Sequence, residues 1–235
     1  MNRGSSSTAV PVIAIDGPSG SGKGTISRAV ANTLAWHLLD SGALYRLVAL
    51  AARRAGVGLD DTPALERLAA RADIRFGSGP GGEERVWLDG AEVTRDIRTE
   101  AAGGDASKVA AIPAVRAALL ARQRAFVLPP GLVADGRDMG TVVFPGAAVK
   151  IFLTASLEER VLRRHNQLKE KGVAANLAAL SLEIAERDRR DISRSASPLV
   201  ASADAVLLDT TGMPVNAVVE RVLAVARGRL KIDGN

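Results

Sequence analysis

The short apolar run from Val10 to Asp16, VPVIAID, breaks directly into Gly17, Pro18, Ser19, Gly20, Ser21, Gly22, Lys23, Gly24 and Thr25, and then into a helix-forming stretch that reaches Leu34. Strand, glycine-rich turn and helix in immediate succession constrain the fold more than any other segment. Backbone amides can converge on an anion there, the helix start adds its positive end, and the lysine can reach the outer phosphates of a polyphosphate. The familiar loop, G-x-x-x-x-G-K, puts Ser or Thr straight after the lysine. Here Gly24 intervenes and the hydroxyl waits until Thr25.

The remaining chain repeats the alternation. His37 to Asp40 reads as a second buried strand. It is followed by a helix from a Ser41 N-cap to a glycine stop at Gly56. Between Asp73 and Ile97 the texture changes to short β-like runs with a Gly/Pro turn and an Asp89-Gly90 hairpin signal, which predicts a small antiparallel insertion. Helical periodicity returns around Ala106 to Phe126, with Pro113 marking a break. Leu132 to Gly136 and Ala148 to Ala155 read as buried strands, 156–194 as two arginine-rich helices interrupted near 169–177, and Asp204 to Thr210 as a fifth strand before an amphipathic closing helix. Five apolar strands separated by helices imply a parallel sheet covered on both faces.

A chain of 235 residues with 47% hydrophobic and 24% charged residues has room for one generous domain, or for a domain with an insertion. The net charge of +5 favours anionic partners, but aromatics are only 3%, thin for stacking single-stranded bases, so a small phosphorylated ligand is expected and nucleic acid is not. Without cysteine there is neither disulfide framework nor thiolate metal site. No run approaches the ~18 apolar residues of a membrane span, and the Ser-rich start carries no apolar core of signal-peptide length. The expectation is a cytoplasmic protein with no membrane partner.

Three further stretches carry candidate chemistry. After the second strand, Ser41, Tyr45 and Arg46 should project from the carboxyl edge of the sheet, where open α/β sheets bind ligands. Asp135, Arg137 and Asp138 follow the end of the third main-sheet strand and suggest magnesium or ligand contacts. Arg187, Arg190, Asp191 and Arg194 share one helix face at i, i+3, i+4 and i+7, and Arg160, Arg163 and Arg164 another. Guanidinium groups so arranged can spread over the charge of a transferring phosphoryl group. A solvated helix with i,i+4 ion pairs is the plainer alternative for both. Neither His37 nor His165 is placed like a general base.

In order and spacing, GPSGSGKGT, HLLDSGALYR, ASKVAAIPAVRAALLARQRAF, ADGRDMGTVVFP and ERDRRDISR resemble the bacterial cytidylate kinase (CMP kinase) family, and the likeness runs from about Val12 to the closing helix. The G-K-G-T ending resembles that of P-loop nucleoside monophosphate kinases. The resemblance implies their α/β fold: a five-stranded parallel sheet flanked by helices, a small antiparallel β insertion and a helical lid. It implies a flexible tail (1–9), core segments (10–60, 106–155, 195–235), a monophosphate-binding insertion (61–105) and a lid (156–194). It also implies transfer of the γ-phosphoryl group of ATP to CMP or dCMP with Mg²⁺, by a monomer. Gly17 to Thr25 would then bind ATP, with Lys23 catalytic and Thr25 and Asp135 near the metal. Arg46, Arg137 and Arg194 would hold the acceptor phosphate. Ser41, Ser107, Arg116 and Asp138 would face the cytosine end, Tyr45 would also belong to the CMP site, and Arg187 and Asp191 would contact the sugar. Arg160, Arg163 and Arg164 would belong to the lid, and Arg137, Arg160, Arg163, Arg187 and Arg194 would act with Lys23 in catalysis. Two departures stand out: Gly104 or Asp105 where relatives often have Asn, and Ile192 and Ser193 where they are often more polar. Same-fold kinases of another monophosphate or a small alcohol, and a P-loop switch protein, are the rival readings.

Overall fold

The computed structural model describes residues 9–80, 83–170 and 172–230; the predicted tail up to residue 8 lies outside them. Strand β1 (Val12–Asp16) is buried along its whole length and sits at the centre of a five-stranded parallel sheet. β6 (Leu132–Gly136) and β7 (Val149–Thr154) flank it, β2 (His37–Asp40) and β8 (Val206–Asp209) form the edges, and the order is β2-β6-β1-β7-β8. Val12 pairs with Leu132 and Ile13 with Val149 in register.

Side chains alternate along β1, and both sides find apolar cover. Val12 and Ala14 pack with α2 (Ser41–Arg54), α3 (Thr62–Arg71) and α5 (Pro113–Arg124) through Leu44, Val48, Leu65, Val115 and Leu119. Ile13 and Ile15 face α1 (Lys23–Leu34) and α8 (Val215–Leu230) through Ile26, Val30, Val218, Val222 and Leu223. The five strands and two covered faces are those that the alternation predicts. The edges differ from expectation: only Leu39 of β2 is buried, and Leu207 of β8 is exposed, because an edge strand lacks a neighbour on one side.

The predicted insertion is a three-stranded antiparallel sheet of β3 (Ile74–Ser78), β4 (Glu84–Leu88) and β5 (Ala91–Glu92), with the turn between the last two at Asp89 and Gly90, both at positive φ. It packs on the far side of α2, where Val86, Leu88, Val93 and Ile97 meet Ala43, Leu47 and Ala51. The segment expected to form a lid is α6 (Leu157–Glu170) and α7 (Leu177–Ser193), which hold each other through Val161, Leu168, Leu180 and Ile184.

Several local expectations are corrected. Asp40, not Ser41, caps α2, accepting from the Ala43 amide at 3.0 Å. Helix α3, capped by Asp61, is not among the predicted elements. α4 (Glu100–Val109) begins a turn and a half before Ala106, because Thr99 caps it. Asp135 lies within β6, and Arg194 has already left helix α7 with an extended backbone.

Candidate active site

The carboxyl ends of β1 and β6, the starts of α1 and α2, and the insertion and lid enclose one cleft of about 1040 Å³. Its floor is the glycine loop. Gly17 has φ 150°, and a Cβ there would stand 2.1 Å from the Leu153 carbonyl oxygen, so no other residue fits. Gly22, in the left-handed region, caps α1 without a side-chain hydrogen bond, which leaves the first amides of the helix open to an anion. Residues Ser19 to Thr25 line the cleft, whereas Gly17 and Pro18 lie behind it. The Pro18 carbonyl accepts from Ser21 at 3.0 Å and from the Lys23 ammonium at 2.8 Å, which folds the loop onto itself.

Lys23 is buried, and its ammonium is pushed down to about 7, first by burial and then by Arg137. Asp135 and Asp191 oppose that shift without cancelling it, so positive charge is in excess around the ammonium. The displaced hydroxyl has a structural reason as well. A Cβ at Gly24 would lie 3.3 Å from Asp135 Oδ2, so a carboxylate from β6 fills the space beside the position that Ser or Thr takes in the common loop, and Thr25 is turned to the open cleft. Burial raises the Asp135 carboxyl to about 6, with Lys23 opposing the shift.

On another part of the cleft wall, Asp138 and Arg116 form a buried ion pair through Oδ2 and Nη2. A second Arg116 nitrogen donates to the Ala110 carbonyl at 3.1 Å, and its guanidinium lies 5.6 Å from the centre of the Tyr45 ring. Ser107 Oγ is buried on the same wall without a hydrogen-bond partner, a donor and acceptor held in reserve. Ser41 is committed to the Asp135 carbonyl at 2.8 Å, joining α2 to β6. Arg46 donates to the Ile97 carbonyl at 2.8 Å, which leaves its second terminal nitrogen for the cleft.

Arginines of α6 and α7 converge on the same cleft with Arg137, which follows β6. Asp191 is almost wholly buried, and its two oxygens accept from Arg137 Nε at 2.8 Å and from Arg194. Burial would raise its pKa, but those two guanidinium groups hold the carboxyl below the usual range. Arg187 is lowered to about 9 by burial and then by Arg137, which marks unmatched positive charge, and its Nε has no partner. Arg163 reaches the Thr210 hydroxyl at 3.0 Å and the Ser21 carbonyl at 3.3 Å, and Arg164 pairs with Glu100. Arg160 is set back from the cleft, stapling the Ser19 carbonyl at 2.9 Å to Asp188 at 2.6 Å. Arg190 does not line the cleft, nor do His37, whose ring bonds the Pro129 carbonyl, and His165.

Sequence reasoning missed Asp16 and the bridge from Arg98 to Asp40 at 2.9 Å and to Glu84 at 2.5 Å on the cleft rim. Asp16 had a signal, since an acidic residue ending a buried strand needs partners; the bridge had none. Of the departing positions, Gly104 and Asp105 both lie off the cleft, Asp105 pairing with Arg53 at 2.8 Å, while the neighbouring Gly103 lines it. Ile192 is exposed.

Asp16 is raised from 3.8 to about 6, chiefly by burial, against the Gly140 and Met139 amides. Between those two values the folded chain holds a proton that the unfolded chain has released. The contribution of Asp16 to stability therefore grows as pH falls from about 6 to 4 and is absent above 6. Thermal melts of wild type and Asp16→Asn should diverge in favour of wild type over that window; a constant gap would contradict the shift.

The sequence matches the family profile described as Cytidylate kinase over residues 13–228. It is 56% identical over 220 residues to the cytidylate kinase of Colwellia psychrerythraea, covering 94% of this chain and 97% of that protein. It is 58% identical to the cytidylate kinase of Pseudomonas aeruginosa strain LESB58 over 92% of this chain and 94% of that protein. The cytidylate kinase of Chromobacterium violaceum is 58% identical over 91% and 94% of the two chains.

Proposed function

Because the chain belongs to the cytidylate kinase family, we infer that it moves the γ-phosphoryl group of ATP onto CMP, and we propose how the cleft divides that work. The observation that carries the reading is the distance in role between the two walls of one cleft. An amide-rich loop with an uncompensated lysine lies at one end, and the buried Asp138–Arg116 pair at the other.

ATP phosphates lie along the amides of residues 19–24 with Lys23 on the outer oxygens. Magnesium belongs with them: the Asp135 carboxylate and the Thr25 hydroxyl are hard oxygen donors beside the loop, and the described residues hold no cluster of three or more His, Cys, Asp or Glu side chains for an independent metal centre. When bound, it would neutralise charge on the transferring group.

The acceptor phosphate sits among Arg46, Arg137 and Arg194, and Asp191 fixes the last two at the correct angle. A phosphate monoester with a second pKa near 6 is largely dianionic at pH 7 and needs no general base, which fits a cleft whose described lining holds no histidine. Arg163, Arg164 and Arg187 supply further positive charge around the transfer, and Arg160 holds loop and lid together.

Cytosine is read by complementarity. Its exocyclic amine donates to Asp138, and its ring nitrogen and carbonyl accept from Arg116, with the Ser107 hydroxyl nearby. Uracil reverses the donor and acceptor at two of those places. The pairs described depend on base and phosphate, so dCMP is accepted with CMP. A monomer working in the cytoplasm, where ATP and CMP are available, completes the reading; no described helix is long and apolar enough to cross a membrane.

ADP release should be measured with CMP, dCMP, UMP, AMP and GMP side by side. Fast turnover on the two cytidine nucleotides alone is the expected result. Equal turnover on UMP would remove Asp138 and Arg116 from base selection, and slow hydrolysis indifferent to any acceptor would restore the P-loop switch.

A further inference from the structure

The segment after β6 is an unusual piece of backbone. Residues Met139–Val143 form a single π-helical turn, a geometry rare in general and frequent at functional sites. Asp138 stands directly before it, so the orientation of the turn decides where that carboxylate points. Both ends of the turn are held from outside. The Met139 and Gly140 amides each donate to one oxygen of Asp16 at 2.8 Å. At the other end Arg124 donates to the Val143 carbonyl at 3.0 Å and to the Val142 carbonyl at 3.2 Å. The turn is closely packed at Gly140, where a Cβ would lie 3.2 Å from the stem of Lys150 and 3.4 Å from Asp16.

Asp16 is buried, and both its oxygens are spent on this turn. A carboxylate accepting two amides is a stiff, charge-assisted clamp. Its place in the chain gives the clamp a second meaning. Asp16 ends β1, and the next residue, Gly17, begins the phosphate loop. One strand end therefore carries the donor loop and, through the turn, the residue that faces the acceptor base. Displacements on the order of 1 Å at such a place are costly, because the reaction needs both substrates in line.

We propose that Asp16 is a positioning residue for base selectivity: by holding the Met139 and Gly140 amides it fixes the turn that sets Asp138 against Arg116, in register with the phosphate loop. The inference rests on the reading of Asp138 as the acceptor of the cytosine amine. Asp16 itself touches neither base nor phosphate. In Asp16→Asn the volume is kept, but one amide N–H meets an N–H₂ group in place of an oxygen, and the clamp opens on one side.

The test is the ratio of kcat/KM for CMP to that for UMP in wild type, Asp16→Asn, Asp138→Asn and the double variant. Asp16→Asn should lower the ratio about 10-fold or more, with the KM for ATP within about 2-fold of wild type. The double variant should be no less selective than Asp138→Asn alone, because two residues acting through one contact are not additive. A purely structural role would lower both rates together and leave the ratio intact, which would overturn the proposal, as would multiplicative losses in the double variant. If Asp138→Asn itself keeps the ratio, the cytosine reading fails and takes the role of Asp16 with it. If Asp138→Asn loses the ratio while Asp16→Asn keeps it, only the role of Asp16 fails. Should Asp16→Asn not fold, Arg124→Gln loosens the same turn from its exposed end. A fall of about 3-fold in the ratio is expected there, and an unchanged ratio would count against the clamp.

Discussion

Lys23→Ala is expected to lower kcat by ~10³-fold or more while leaving the melting temperature within a few degrees of wild type. The first half follows from position: the ammonium opens α1, folds over the loop onto the Pro18 carbonyl, and borders the cleft beside residues whose amides face it. A charge fixed where the transferring oxygens gather acts in a partly dehydrated site, where it is worth far more than in water. The second half follows from the environment. Burial and then Arg137 push this ammonium down to about 7 in the free protein, so its charge does not stabilise the nucleotide-free fold. Steady-state turnover and a thermal melt on one preparation check both. A kcat within tenfold of wild type would remove Lys23 from the transfer step, and a collapsed melt would make it a structural residue.

The other large effect concerns which base is accepted. Asp138→Asn should lower kcat/KM for CMP by ~10³-fold and raise that for UMP, because the new amide can donate to the uracil carbonyl. Sites built on paired hydrogen bonds reject the wrong partner strongly, since mismatched groups stay buried and unpaired. Here the cost is sharpened by burial, with Asp138 only 2% exposed and its carboxylate already engaged by Arg116. The substitution leaves Arg116 without its anion, so stability should fall by about 3–5 kcal/mol, and the assays belong well below the lowered melting temperature. Equal losses on CMP and UMP would show that Asp138 supports the cleft without reading the base.

Much of the candidate site is legible in the amino-acid sequence. The glycine loop, the insertion and the arginine-rich lid each announce themselves over a few consecutive residues, and the predicted cytosine-end residues do line one cleft. The rest is hidden for physical reasons. Helix α3 has a cap at Asp61 and a proline at its start, but it lies where the texture shifts towards the insertion, and tertiary cover through Leu65 completes it. Asp191 reads along the chain as a sugar contact on an arginine face. In the fold it anchors Arg137, 54 residues away, and Arg194 beside it. Arg160 reads as a catalytic arginine of the lid; it lies on α6, outside the cleft lining, and staples the loop to Asp188.

By itself the sequence determined the strand, glycine loop and helix in succession and the alternation that makes a doubly covered parallel sheet, because both are local. A glycine that must take φ 150° and a period of two along five buried residues are settled within one turn or one strand. Only the tertiary structure decided which charges meet. Asp16 reaches the Met139 and Gly140 amides across 123 and 124 residues because the strand order lays β6 beside β1. Local propensity reaches a few residues along the chain, whereas partners that close a buried site are chosen by which strands and helices the whole core brings side by side.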